Sequence, residues 1–210
     1  MTYAVKEIFK TLQGEGAQTG RAAIFCRFAG CNLWSGREID RVASICTFCD
    51  TDFVGIDGTG GGRFLDAEAL ADAIAAEWGE GRQNRYVVLT GGEPLLQVDP
   101  ELIDALHERQ FEIGVETNGT IGAPVGLDWI CVSPKADATL AQTSGHELKL
   151  VFPQDRAMPS QFEHLSFDHF FLQPMDSPEA DANLAAAIAY CVDNPRWRLS
   201  LQSHKMIGIR

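Results

Sequence analysis

No stretch of this 210-residue sequence approaches the roughly 18 consecutive apolar residues that span a bilayer. No secretory leader is expected either, because Lys6 and Glu7 stand where such a segment would be apolar. A cytoplasmic, reducing location is therefore expected, where clustered cysteines mean metal or redox chemistry rather than disulfides. Basic residues are scarce. The 17 Lys and Arg face 29 Asp and Glu, a net charge of −12, which argues against a nucleic-acid surface and disfavours anionic membranes. Such acidity still permits an anionic small molecule, since a few buried Arg or Lys can hold one locally. No internal repeat or low-complexity tail is present. With 45% hydrophobic residues, one domain over 1–210 with a substantial core is expected.

Against these absences stands one dense stretch. Cys31, Cys46 and Cys49 fall within nineteen residues, the last two as a Cys-x-x-Cys pair. A two-residue gap lets both sulfurs reach one metal centre, and the longer loop can bring in the third. No fourth Cys or His follows at a closing distance; His107 and Cys131 are the nearest downstream. A structural zinc site closes with four protein ligands, and a four-iron cluster normally takes four cysteines. Three thiolates thus point to a cluster with one iron open to a ligand that is not protein. Cys26 and Cys191 lie in apolar patterns and read as core.

Apolar runs at 3–11, 22–29, 86–90, 112–116, 128–132, 147–152, 168–172 and 197–202 read as strands. Asp66 is set to cap a helix over 67–79, and Asp99 another opened by Pro100. A short helix is expected near 159–164. An Ala-rich helix is expected over 179–193, with Leu184, Ile188, Cys191 and Val192 on one face. Strands alternating with helices or long crossovers imply parallel pairing. Polar residues cluster just after these strands: Thr90, Glu116, Asn118, Ser133, Lys135, Gln173 and His204. In barrel-like α/β folds the C-terminal strand ends build the active site, so convergence at one rim, which the cysteine loop joins, points to an enzyme. Strand parity sets Arg27 opposite Ile24, Cys26 and Phe28. A guanidinium in an apolar strand needs a partner, either a protein carboxylate or a ligand's. Gly114 shares a face with Glu116 and Asn118 and is expected to leave room above the sheet.

The cysteine spacing, with a strand ending Thr90-Gly-Gly-Glu-Pro94, resembles the radical S-adenosylmethionine (SAM) superfamily. The fourteen-residue first gap departs from the usual three and matches a subgroup. Leu12-Gln-Gly-Glu-Gly16, Phe28-Ala-Gly-Cys-Asn-Leu-Trp34, Phe48-Cys-Asp-Thr-Asp52, Glu116-Thr-Asn-Gly119, Ser133-Pro-Lys135, Glu147-Leu-Lys149, Gln173-Pro-Met175 and Gln202-Ser-His204 look like the 7-carboxy-7-deazaguanine synthase family. The ending Ile209-Arg210 departs from that family's Ile-Pro.

The resemblance implies an α/β fold: a partial (β/α)6 barrel-like parallel sheet with modified crossovers and N- and C-terminal extensions, usually dimeric. It implies a 4Fe-4S cluster on Cys31, Cys46 and Cys49, with SAM on the fourth iron. The implied reaction turns 6-carboxy-5,6,7,8-tetrahydropterin into 7-carboxy-7-deazaguanine with loss of ammonia, a step toward queuosine. A 5′-deoxyadenosyl radical takes the C6 hydrogen and SAM is regenerated. Phe48, Gly91, Gly92, Glu93, Asn118, Ser133, Lys135 and Gln173 would bind SAM. Leu12, Gln13, Gly14, Glu15, Arg27, Thr90, Glu116 and His204 would bind the pterin, with Arg27 on its carboxylate. Mg2+ would bridge Thr51 and substrate, with Asp50 in support, and an electron donor such as flavodoxin would act as partner. Two alternatives share part of the pattern. A glycyl-radical-enzyme activase would use the cysteines and the glycine turn but not Arg27, Gln13, Glu15 and His204 around a small molecule. A zinc-stabilised binding module would need Cys26 or a distant His as fourth ligand.

Overall fold

A computed structural model describes residues 2–210. Nine strands form one sheet: β1 (Tyr3–Leu12), β2 (Ala22–Phe28), β3 (Gly62–Phe64), β4 (Tyr86–Gly91), β5 (Glu112–Thr117), β6 (Trp129–Val132), β7 (Ser144–Phe152), β8 (Ser166–Pro174) and β9 (Trp197–Leu199). Their order is β3-β1-β2-β4-β5-β6-β7-β8-β9. From β2 through β9 every neighbouring pair is parallel, while β1 runs antiparallel to both β2 and β3. The sheet does not close on itself, so the expected partial barrel is present, extended by an antiparallel N-terminal edge.

Helix α1 (Ala67–Trp78) starts where Asp66 accepts the Ala69 N–H, and α2 (Pro100–Glu108) where Asp99 accepts the Leu102 N–H. Each such cap is worth about 1 kcal/mol. Both helices pack their apolar stripes, Leu70 and Ile74 on α1 and Leu102, Ile103 and Leu106 on α2, against the alternate residues Ile24, Cys26, Val87 and Leu89 of the sheet. The crossovers β5–β6 and β6–β7 are loops without a helix. A second apolar cluster joins Leu148, Leu150, Phe170 and Leu172 to α3 (Ala180–Asp193). With helices on one face, the other is left for the site.

Three expectations need correction. The helix near 159–164 is a single 3-10 turn, Pro159–Gln161. The stripe expected on α3 does not face the sheet: Ile188 is 44% and Val192 75% exposed, while Asn183 and Ala187 are buried. Runs of alanine give the helix little contrast between faces. Asn183 can turn inward because its amide donates to Met175 O and Ser177 Oγ. Cys191 is only half-buried, at the border of the core. Finally, β9 stops at Leu199, and His204 sits on the short helix α4 (Ser203–Ile207) rather than at a strand end.

Candidate active site

Above the C-terminal edge of the parallel strands lies a cavity of about 350 Å³. Cys31, Cys46, Phe48, Cys49 and Thr51 form one wall. Thr90, Gly91, Gly92, Glu116, Asn118, Ser133, Lys135 and Gln173 come from strand ends, and Leu12, Gln13, Gly14, Glu15, Arg27 and His204 complete it. The one candidate outside is Glu93. It is fully buried beneath the wall, where its carboxylate accepts from Thr117 Oγ1 and from the Leu95 and Asn118 N–H groups. Its side chain therefore ties the strand ends of β4 and β5 together, and burial raises its pKa against those donors. The Gly91–Gly92 turn presses onto the start of the cysteine loop. Glu93 N donates to Gly30 O, and a Cβ at Gly92 would sit 2.0 Å from that oxygen, so only glycine permits the approach.

The three thiols are free. The neighbouring Cys49 thiol lowers the Cys46 pKa to about 7, while Cys46 and burial raise that of Cys49. Lys135, whose Nζ donates to Ser133 O and Oγ at 2.7 and 2.8 Å, adds positive charge beside them. Burial lowers the Lys135 pKa. Burial raises the Cys31 pKa, so Cys46 alone is held low; three thiols on one cavity wall suit soft-metal ligation. Cys26 lies in the core on the opposite face of β2, and His107 is engaged with Asp128, so neither supplies a fourth ligand. No three His, Cys, Asp or Glu side chains among the described residues converge tightly enough for a single ion.

Arg27 has the carboxylate neighbour that its strand position demanded. Its Nε lies 2.8 Å from Glu7 Oε1 across the β1–β2 pair. The contact is ionic rather than well aimed, because that N–H has no directed acceptor. The same Glu7 pairs with Arg210. The side chain is a quarter exposed and faces the cavity. Opposite, Gln13 Nε2 donates to Glu116 Oε1 at 2.9 Å. Lys149 Nζ lies 2.6 Å from Glu15 Oε2 and 3.5 Å from Glu116 Oε1. His204 comes in over the loop after β1, where Ser203 donates to Gly14 O; a Cβ on Gly14 would meet its ring at 2.1 Å.

One expected feature differs. The room above Gly114 is filled by Tyr86, whose hydroxyl would lie 2.2 Å from a Cβ there. Asp50 lines the cavity next to Thr51 and is engaged by Lys205 at 2.8 Å and Gln202 at 3.2 Å. Sequence reasoning gave no role to Glu7, Lys149 or Gln202. Lys149 carried a usable signal, a cation in an apolar strand like Arg27. Glu7 is recognisable only once β1 is paired with β2.

An unclosed parallel sheet whose C-terminal edge carries three thiols and a glycine turn defines an enzyme of the radical SAM class. Residues 43–137 match the model of the radical SAM superfamily. The chain is 66% identical over 209 residues to the 7-carboxy-7-deazaguanine synthase of Bordetella pertussis and 69% identical over 210 to that of Bradyrhizobium diazoefficiens, covering all of both chains in each case. The crystal structure of QueE from Escherichia coli superposes with a TM-score of 0.74 at 28% identity, covering 97% of this chain and 95% of that one. The chain belongs to the 7-carboxy-7-deazaguanine synthase family. Family membership carries with it a 4Fe-4S cluster and SAM. No helix among the described residues is long and apolar enough to cross a membrane.

Proposed function

We propose that this enzyme converts 6-carboxy-5,6,7,8-tetrahydropterin into 7-carboxy-7-deazaguanine with loss of ammonia. The observation that carries the reading is the sharing of one cavity by the three free thiols, Arg27 and the Gln13–Glu15–Glu116 group. Cys31, Cys46 and Cys49 would hold the cluster. When bound, cluster and SAM supply the radical chemistry that takes the pterin C6 hydrogen and later returns it. Everything else falls to the protein. Phe48, Gly91, Gly92, Asn118, Ser133, Lys135 and Gln173 hold SAM, while Glu93 braces the glycine turn from beneath. Arg27 takes the pterin carboxylate, trading part of its contact with Glu7 for a charge-assisted pair. Gln13, Glu15 and Glu116 accept and donate along the aminopyrimidinone edge, Leu12, Gly14 and Thr90 shape the wall, and His204 covers the ring. Together these contacts fix C6 and keep water away.

The same reading includes Mg2+ between Thr51 and substrate, supported by Thr51's place on the cavity wall. One hydroxyl with ligand oxygens and waters suits that ion. It also includes an electron donor such as flavodoxin, supported by the exposure of the cysteine loop at Ile39 and Val42, and a homodimer, supported by family resemblance. The test is anaerobic reconstitution, then incubation with SAM, reductant and the tetrahydropterin. We expect 7-carboxy-7-deazaguanine, with ammonia released in step. Iron-loaded enzyme that binds the pterin and returns it unchanged overturns the reading.

A further inference from the structure

Lys149 lies on β7 with its side chain 5% exposed, behind the wall that meets the substrate. It is the cation shared by two carboxylates that face the cavity. Glu15 Oε2 is 2.6 Å away and Glu116 Oε1 3.5 Å away. The remaining protein donors are neutral amides: Gln202 to Glu15 Oε1 at 3.0 Å and Gln13 to Glu116 Oε1 at 2.9 Å. Among the described residues Glu116 Oε2 receives no donor, so a lone-pair face is left for a ligand. Deeper on the same strand face, Glu147 is buried, accepting from Ala17 N at 3.0 Å with Cys131 Sγ at 3.6 Å.

We propose that Lys149 is a positioning residue that sets the ligand selectivity of the site. It holds Glu15 and Glu116 side by side with their free lone pairs toward the cavity, so the pocket takes a heterocycle edge presenting N–H donors and refuses one presenting a carbonyl oxygen there. The inference rests on the reading above that this wall meets an aminopyrimidinone. The physics is that of coupled carboxylates. Two of them this close do not both stay ionised without a cation, and one takes up a proton and becomes a donor. Burial works against the charge on Glu15, yet Lys149 with Gln202 and Gln173 outweighs it and leaves the Glu15 pKa lowered. Burial also opposes the charge on Lys149, and Glu116, Glu15, Cys131 and Glu147 together push its pKa well above the usual value. The groups facing the trio are thus Glu147 on β7, Cys131 on β6 and Tyr86 on β4, with Lys135 farther along the wall.

The test titrates cluster-loaded enzyme, with SAM present, with 6-carboxypterin and with 6-carboxylumazine, in which an oxo group replaces the 2-amino group. Wild type is expected to prefer the pterin by more than about 100-fold, as a site built to meet a donor does. In Lys149→Met the preference should shrink to within about threefold and recover as pH rises and the shared proton leaves. Lys149→Arg should keep the preference. SAM affinity should stay unchanged in both variants, which a general loss of structure would not allow. If Lys149→Met fails to fold, Glu15→Gln replaces it and should lose the preference at every pH. A preference unchanged in the folded Met variant, or one lost with no pH dependence, overturns the inference. Equal binding of the two probes by wild type overturns instead the reading of the wall on which it rests.

Discussion

On the wall formed by β1, β5 and β7, polar groups already have partners: Lys149 with Glu15 and Glu116, Gln13 with Glu116, Gln202 with Glu15. Across the cavity, the cysteine loop holds one 3-10 turn, Glu38–Ala43, with no buried residue in it. Ile39 and Val42 there are 87% and 94% exposed, and the Cys49 thiol donates to Thr51 O at 3.9 Å. The substrate wall is thus organised by the fold itself and ready before anything binds. The cluster wall is tied at its start, by Gly30 against the glycine turn and by Asn32 against Asn118, and farther along by Arg41, which stacks on Trp34 and donates to Thr47 O and Cys49 O. The three thiols themselves are not drawn onto one point, so metal ligation would supply the last ordering of this wall. A preformed wall confers selectivity at low ordering cost, whereas an adaptable loop allows a cluster to be inserted after folding.

The sharpest way to break this contrast is Cys49→Ala. Product formation should vanish and iron content should collapse, while the metal-free protein unfolds within about 0.5 kcal/mol of wild type, as for a residue outside the core network. Metal-free unfolding that changes by several kcal/mol would show that the cysteine wall is structural after all. Arg27→Ala comes next. Loss of a charge-assisted pair worth about 1.5–3 kcal/mol predicts a KM for the tetrahydropterin raised about 10–150-fold with the iron content intact. Steady-state kinetics beside an iron assay separates this from cluster loss. Glu93→Ala leaves three donors in a buried place without their acceptor. At about 3 kcal/mol the melting temperature should fall by about 6–12 °C; a shift under about 2 °C would deny Glu93 its bracing role. Smallest is Thr51→Ala, expected to blunt the response of activity to added Mg2+ by a few-fold. An unaltered Mg2+ titration would remove Thr51 from that role.

Much of this was readable from residues alone where one local rule decides. Asp66 and Asp99 capped as expected because an N-cap needs only its own first turn. Parity alone separated Arg27 from Cys26, and placed Ser133, Lys135 and Gln173 along the cavity. Readings failed where a distant neighbour decides. Tyr86 fills the space above Gly114 because β4 lies beside β5 in that register. The buried face of α3 follows from Asn183 finding carbonyl and hydroxyl partners, which overrides an apolar pattern blurred by alanines. Lys149 was visible as an oddity in its strand, but its meaning required Glu15 and Glu116 to be brought to it.

The central claim is that three thiolates on an adaptable loop hold a cluster whose open iron takes SAM. Electron paramagnetic resonance of the anaerobically reconstituted, reduced enzyme, recorded with and without SAM alongside a metal assay, tests it most directly. The account predicts about four irons per chain and a cluster signal whose g-values shift when SAM is added. One zinc per chain without colour, or a cluster signal indifferent to SAM, would contradict it.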